Sequence, residues 1–130
     1  MFTGFAREHR VMTKTTVQVK RVYEPPSRDD GIRVLVDRLW PRGLSKPRAA
    51  VDLWLKDLAP SVRLRRWFNH DPSRWTEFKF RYAEELDAKK TAVAALLGAA
   101  RRGRVTLVFG ARDREHNNAV ALYSYLSRHA

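Results

Sequence analysis

Arg33-Val34-Leu35-Val36, followed at once by Asp37-Arg38-Leu39-Trp40-Pro41-Arg42-Gly43, reads as a buried β-strand emptying into a crowded polar loop. The same arrangement returns at Val105-Thr106-Leu107-Val108-Phe109, which runs into Gly110-Ala111-Arg112-Asp113-Arg114-Glu115-His116-Asn117-Asn118. Nearly continuous apolar runs suit strands covered on both faces, as in a parallel sheet. In open α/β sheets, ligands bind in the crevice beyond the carboxyl ends of the strands. The two polar loops are therefore expected to open side by side at one mouth, and a site belongs there.

Working outward, Thr16-Val17-Gln18-Val19-Lys20-Arg21-Val22-Tyr23 alternates well enough for a first strand. A loop with two early prolines and a closing Asp30-Gly31 separates it from the Val34 strand. Val51, Trp54, Leu55 and Leu58 fall at spacings that predict an amphipathic helix over about 46–58. Pro60 ends it, and Ser61 is expected to cap a short helix carrying Leu64, Trp67 and Phe68. Asp71-Pro72 has the form of a helix start, an N-cap acid before proline at the first helical position. Trp75, Phe78, Tyr82 and Leu86, then Val93, Leu96, Leu97 and Ala100, predict one long helix bent near 87–90 or two in succession. Asp113 is expected to cap a last helix that buries Val120, Leu122, Tyr123 and Leu126. The fold expected is α/β: a small, mostly parallel sheet covered by helices, three-layer-like, in one domain over residues 16–130. Residues 1–15 show no period and read as a flexible N-terminal arm, with Met12 an alternative native start.

With 130 residues the chain has enough mass to bury a core without disulfides or metal. No apolar run approaches about 18 residues and the N-terminus lacks a secretory pattern, so a cytoplasmic protein with no membrane partner is expected. There is no cysteine, which excludes disulfides, thiolate metal sites and any thiol nucleophile or persulfide carrier. The formal charge of +12 favours phosphate-bearing partners. The basic residues are spread along the whole chain, however, with only short clusters at Arg63-Leu64-Arg65-Arg66 and Arg101-Arg102-Gly103-Arg104.

Four tracts in order carry a family resemblance: Arg33 to Gly43; Trp54-Leu55-Lys56-Asp57-Leu58-Ala59-Pro60-Ser61; Leu64-Arg65-Arg66-Trp67-Phe68-Asn69-His70-Asp71; and Val105 through His116-Asn117-Asn118-Ala119. Together they resemble the YeaO-like branch of domain-of-unknown-function family 488, over about residues 17–129. The resemblance implies a small bacterial α/β protein and no established reaction. Longer relatives carry a Cys-His-Arg type motif near the last strand, whereas this chain has Glu115-His116-Asn117, so thiol chemistry does not carry over.

Asp37, Arg38 and Arg42 sit just past a buried strand beside Trp40. Arginine grips phosphate or carboxylate through its planar fork, and tryptophan offers a stacking wall. The same residues also suit a structural role, Asp37 and Arg38 as an internal ion pair and Trp40 as core. His70 follows Trp67-Phe68 between two helices and suits a general acid or base, or a buried structural imidazole. Asp71 is explained by capping. Arg112, Asp113, His116 and Asn117 gather at an expected helix N-terminus, a place that favours anions, although Asp113 as the cap would partly neutralise that preference. Asp37, His70, Asp113 and His116 would be the catalytic acid–base groups, with Arg38, Trp40, Arg42, Arg112 and Asn117 binding the ligand. No spacing matches a known metal motif, so neither metal nor cofactor is expected. Arg81 is expected to pair with Glu85 or solvent, and Tyr82 to be core. Neither a phosphate-cradling glycine loop nor a nucleophile elbow is present.

The residues thus favour a protein that binds an anionic, phosphorylated or nucleotide-like small molecule. If it is an enzyme, it is a thiol-independent hydrolase or transferase. A basic nucleic-acid-binding module and a non-catalytic interaction protein are the alternatives. Oligomeric state is not written in the sequence.

Overall fold

A computed structural model of the chain describes residues 16–129; the N-terminal arm expected over residues 1–15 lies outside them. The described residues form one four-stranded, all-parallel sheet of β1 (Val17–Arg21), β2 (Ile32–Leu35), β3 (Leu53–Trp54) and β4 (Val105–Phe109), in the order β1-β4-β2-β3. The helices are α1 (Lys46–Ala49), α2 (Val62–Phe68), α3 (Trp75–Asp87), α4 (Lys90–Arg102) and α5 (Asn118–His129). No helix among the described residues is long and apolar enough to cross a membrane.

Side chains alternate across a strand, so each strand feeds two layers. Val17, Val34, Val36, Val105, Leu107 and Phe109 pack with Leu64, Phe78, Tyr82, Leu86, Val93, Leu96, Leu122 and Leu126 of α2 to α5 in the main core. On the other face Leu35 and Val108 join Val22 and Ala49, with Trp40 and Trp54 packed against them. The expected α/β architecture is present, with the buried β4 at its centre. Ser61 caps α2 by accepting the Leu64 N–H at 3.1 Å, as expected from the sequence. Asp71 accepts the Ser73 N–H at 3.0 Å and opens the short 3-10 turn Pro72–Arg74 that leads into α3. The long helical stretch is two helices broken at Ala88 and Lys89.

The second face also holds a polar row that the apolar look of β2 and β4 concealed. Gln18 and Arg33 both register with Thr106 across the sheet. Asp30, 1% exposed, accepts Lys20 Nζ at 2.9 Å and Arg33 Nη1 at 2.8 Å, and its backbone carbonyl takes the Thr106 hydroxyl at 2.7 Å. Arg33 Nη2 donates to the Ala49 carbonyl at 2.9 Å, fastening α1 to the sheet. Buried charges persist when they are paired and hydrogen-bonded, and this cluster meets both conditions. Gly31 makes the approach feasible: its φ is +62°, and a Cβ there would collide with the Arg104 backbone.

Three expectations need correction. The helix over about 46–58 is only α1; it ends at Ala50, whose φ is +51°. The chain then becomes β3, with Asp52 N–H bonding the Arg33 carbonyl at 2.8 Å and Leu55 N–H bonding the Leu35 carbonyl at 2.9 Å. Pairing with the open edge of β2 outweighs the helical spacing of Val51, Trp54, Leu55 and Leu58. Asp113 does not cap the last helix. Asn117 does, accepting the Val120 N–H at 2.9 Å, while Asp113 closes the preceding turn. Arg81 pairs with Glu77 at 2.6 Å rather than Glu85, whose carboxylate accepts the Ser61 N–H and hydroxyl.

Candidate functional site

The central strands β4 and β2 release their chains side by side. Just past β2, Asp37 Oδ2 accepts the Gly110 N–H at 2.8 Å, and its Oδ1 accepts Asn118 Nδ2 at 3.0 Å. Asn118 Nδ2 also reaches the Val36 carbonyl at 2.8 Å. Burial pushes the Asp37 carboxyl above its ordinary value, against the hydrogen bonds from Asn118 and Gly110 and the field of Arg65. The expected Asp37–Arg38 ion pair is absent, because Asp37 is engaged with the second loop.

These loops, α2 and the turn after it enclose a crevice of about 850 Å³. Asp37, Arg38, Trp40, Arg42, His70, His116 and Asn117 all line it. Arg112 and Asp113 do not; Arg112 is exposed, and Asp113 contacts the lining residues His116 and Asn117 from behind. Arg38 Nη2 donates to the Pro60 carbonyl at 3.2 Å, and its Nε is the one buried side-chain polar atom without a partner among the described residues. Trp40 is half-buried, its indole N–H bonded to the Leu44 carbonyl at 2.6 Å and its ring edge-on to Trp54 at 5.4 Å. Arg42 is exposed, and its carbonyl accepts the Tyr23 hydroxyl at 2.8 Å.

Phe68 and Phe78 stack at 4.4 Å beneath the crevice. α2 ends at Asn69 and His70, both with positive φ, 49° and 55°. That left-handed pair turns the exposed His70 to the crevice wall, a conformation uncommon outside glycine, though Asn and His adopt it more readily than most residues. His116 Nδ1 meets Asp113 Oδ2 at 2.9 Å, and its ring lies edge-on to Trp75 at 5.3 Å. The Asp113 carboxyl is held below its ordinary value by the Glu115 N–H and then by His116. Asn117 is buried and occupied at both ends, with Nδ2 on the Asp113 carbonyl and Oδ1 on Val120 N–H. Among the described residues no three His, Asp or Glu side chains group closely enough to hold a metal ion.

Arg65, Arg66 and Asn118 line the crevice too, and sequence reasoning missed them. Arg65 and Arg66 stood in the sequence as a charge cluster like any other. Their sequence signal is the Ser61 cap, which fixes the phase of α2 and so turns Val62, Arg65, Arg66 and Asn69 to one side. The lysine and arginine ion pairs of the described residues engage Arg33, Arg74, Arg81, Arg114 and Lys20, and two more involve His116 and His129. The crevice arginines 38, 42, 65 and 66 are in none of them, and Asp37 is the one carboxylate among the lining residues.

A family profile described as "Inactive DUF488-N3 subclade" matches residues 16–130. An uncharacterized protein of Mycobacterium tuberculosis is 44% identical over 117 residues, covering 90% of this chain and 98% of that one. A Mycobacterium bovis protein, also uncharacterized, is similar to the same extent. The uncharacterized protein YeaO of Escherichia coli is 37% identical over 110 residues, 85% of this chain and 96% of its own length. No solved structure matches the chain. With the four motifs in order and a profile running through every element described, this chain belongs to the DUF488 family, on its YeaO-like side.

Proposed function

We propose that this protein binds an anionic small molecule, phosphorylated or nucleotide-like, in the crevice between the β2 and β4 loops. The observation that carries this reading is the charge balance of the lining. Four arginines face one carboxylate, and that carboxylate already accepts two hydrogen bonds. Elsewhere the chain supplies acids to its buried or bridging cations, as Asp30 does for Arg33. Guanidinium groups left without acids beside a concave surface suit the planar oxygens of phosphate or carboxylate. Arg38 lines the same wall, its Nη2 on the Pro60 carbonyl and its Nε buried without a partner. The profile's description as inactive favours binding over turnover.

The test is thermal shift across a panel of nucleotides and sugar phosphates at fixed ionic strength. A ligand at about 100 times its Kd adds about 2.7 kcal/mol to stability, a rise of several degrees for a domain of this size. The expected result is such a rise in the wild type and its loss in the Arg38→Ala, Arg42→Ala double variant. An unchanged rise in that variant, or none with any ligand, overturns the placement. A nucleic-acid module would instead show affinity whose logarithm falls linearly and steeply with log salt.

A further inference from the structure

We propose that the rim of this crevice docks an acidic segment of a partner protein through an aliphatic anchor, a proposal that rests on the crevice being an anion site. Among the described residues the exposed large apolar side chains are Tyr23, Ile32, Leu39, Leu53, Val62 and Phe80. Three of them, Tyr23, Leu39 and Val62, line this one crevice. Apolar residues scattered singly over a surface need no explanation, but a group around a concave mouth marks an interaction site. Leu39 is the most open of the three, at 66% exposure.

The apolar group is interleaved with charge. Val62, Arg65 and Arg66 stand at i, i+3 and i+4 of α2, hence on one helix face, and all three line the crevice. Arg42, Arg65 and Arg66 are exposed and take part in none of the ion pairs of the described residues. Phosphate and sugar alone give Leu39 and Val62 nothing to pack against. A nucleic acid would call for open aromatic platforms. Of the aromatics lining the crevice, Phe68 and Phe78 are buried, Trp40 is half-buried with its N–H on the Leu44 carbonyl and its ring edge-on to Trp54, and only Tyr23 is exposed. Its ring already carries the Arg21 guanidinium at 4.7 Å, and its hydroxyl is committed to the Arg42 carbonyl. A peptide with carboxylates for the arginines and a Leu, Ile or Val for the exposed Leu39 and Val62 side chains satisfies both chemistries at once. Recognition of acidic motifs by arginine clusters is an established mode, and arginine and tyrosine are typical interface anchors.

The experiment is selection of a random 12-residue peptide library on the immobilised full chain in about 0.15 M salt, followed by anisotropy with the enriched peptides. Peptides combining acidic residues with an aliphatic residue are expected to be enriched. They should bind the Leu39→Ser, Val62→Ser variant at least tenfold more weakly than the wild type. Both substitutions are on exposed side chains, and a circular dichroism melt confirms that the variant is folded. Enrichment without that pattern, equal binding to the variant, or tighter binding of an equally charged single-stranded oligonucleotide overturns the proposal. Pyrophosphate binding is measured in parallel. If it is retained by the wild type and lost in Arg38→Ala, Arg42→Ala while no peptide is enriched, the small-anion site stands and the docking surface falls.

Discussion

The carboxylate of Asp37 accepts the backbone N–H of Gly110 at 2.8 Å, joining two loops 73 residues apart in sequence. Glycine suits the position because a Cβ at residue 110 would stand 3.2 Å from Asp37 Oδ2. The bond fixes the crevice mouth by a charged group that burial disfavours, and that conflict has a pH signature. Burial pushes the Asp37 carboxyl up, so protonation favours the folded chain over the unfolded one. The stability gained is complete below about pH 4 and is lost as pH rises through the raised folded value. Asp37→Asn abolishes the titration. The stability of the wild type relative to this variant should therefore grow as pH falls from about 7 to about 4, and urea denaturation at both values checks it. A gap that does not change with pH would contradict the assignment.

The acid behind the sheet behaves in the opposite way. Burial opposes ionisation of Asp30, but hydrogen bonds from Lys20, Arg33 and Ser27 outweigh it and lower its value. Its stability is present above about pH 4 and lost as pH falls through the lowered folded value. Asp30→Ala strands the Arg33 guanidinium in the interior and should cost about 3–5 kcal/mol at neutral pH. Glu77→Gln, which breaks the exposed pair with Arg81, should cost at most about 0.5 kcal/mol. Urea unfolding of the two variants together gives the contrast.

His70 holds a left-handed backbone, with φ at 55°, on the crevice wall. Glycine adopts that conformation without steric cost, so His70→Gly should raise stability by about 1 kcal/mol. The same variant should bind anionic ligands more weakly, since an imidazole leaves the site. Thermal melts with and without a bound nucleotide measure both effects, and a lower melting point would show that the backbone there is not strained.

Asn117→Ala removes the cap of α5 and strands the Asp113 carbonyl, and should cost about 1–2 kcal/mol. Asp113→Ala should cost less, because its carboxylate serves a short turn and the His116 ring at a partly exposed position. The reverse order in urea denaturation would return the capping role to Asp113.

The elements legible in the sequence were those whose local pattern agrees with their packing. β1 follows from its alternation, β2 and β4 from apolar runs, α2 from Ser61, and α3 from Asp71-Pro72 with its three- and four-residue spacing. β3 was not legible, because Leu53 and Trp54 lie inside a stretch whose apolar period is helical and only the open edge of β2 decides its state. Asp113 and Asn117 both have capping chemistry, and nothing local ranks them. The Asp30–Arg33 pair was hidden for a similar reason: one buried arginine in an apolar run looks like a strand boundary until a carboxylate from another segment reaches it. At the crevice, the loop residues Asp37, Arg38 and His116 announced themselves by position. Arg65 and Arg66 depended on the phase of a helix.

The strand synthesised last of the four occupies the interior of the sheet, between β1 and β2. While the polypeptide is still growing toward Phe109, β1 has no neighbour and β2 has only the two residues of β3. Pairing of β1 waits for a segment more than 80 positions downstream of Val17, a non-local topology that predicts slow folding with strand edges exposed in the interval.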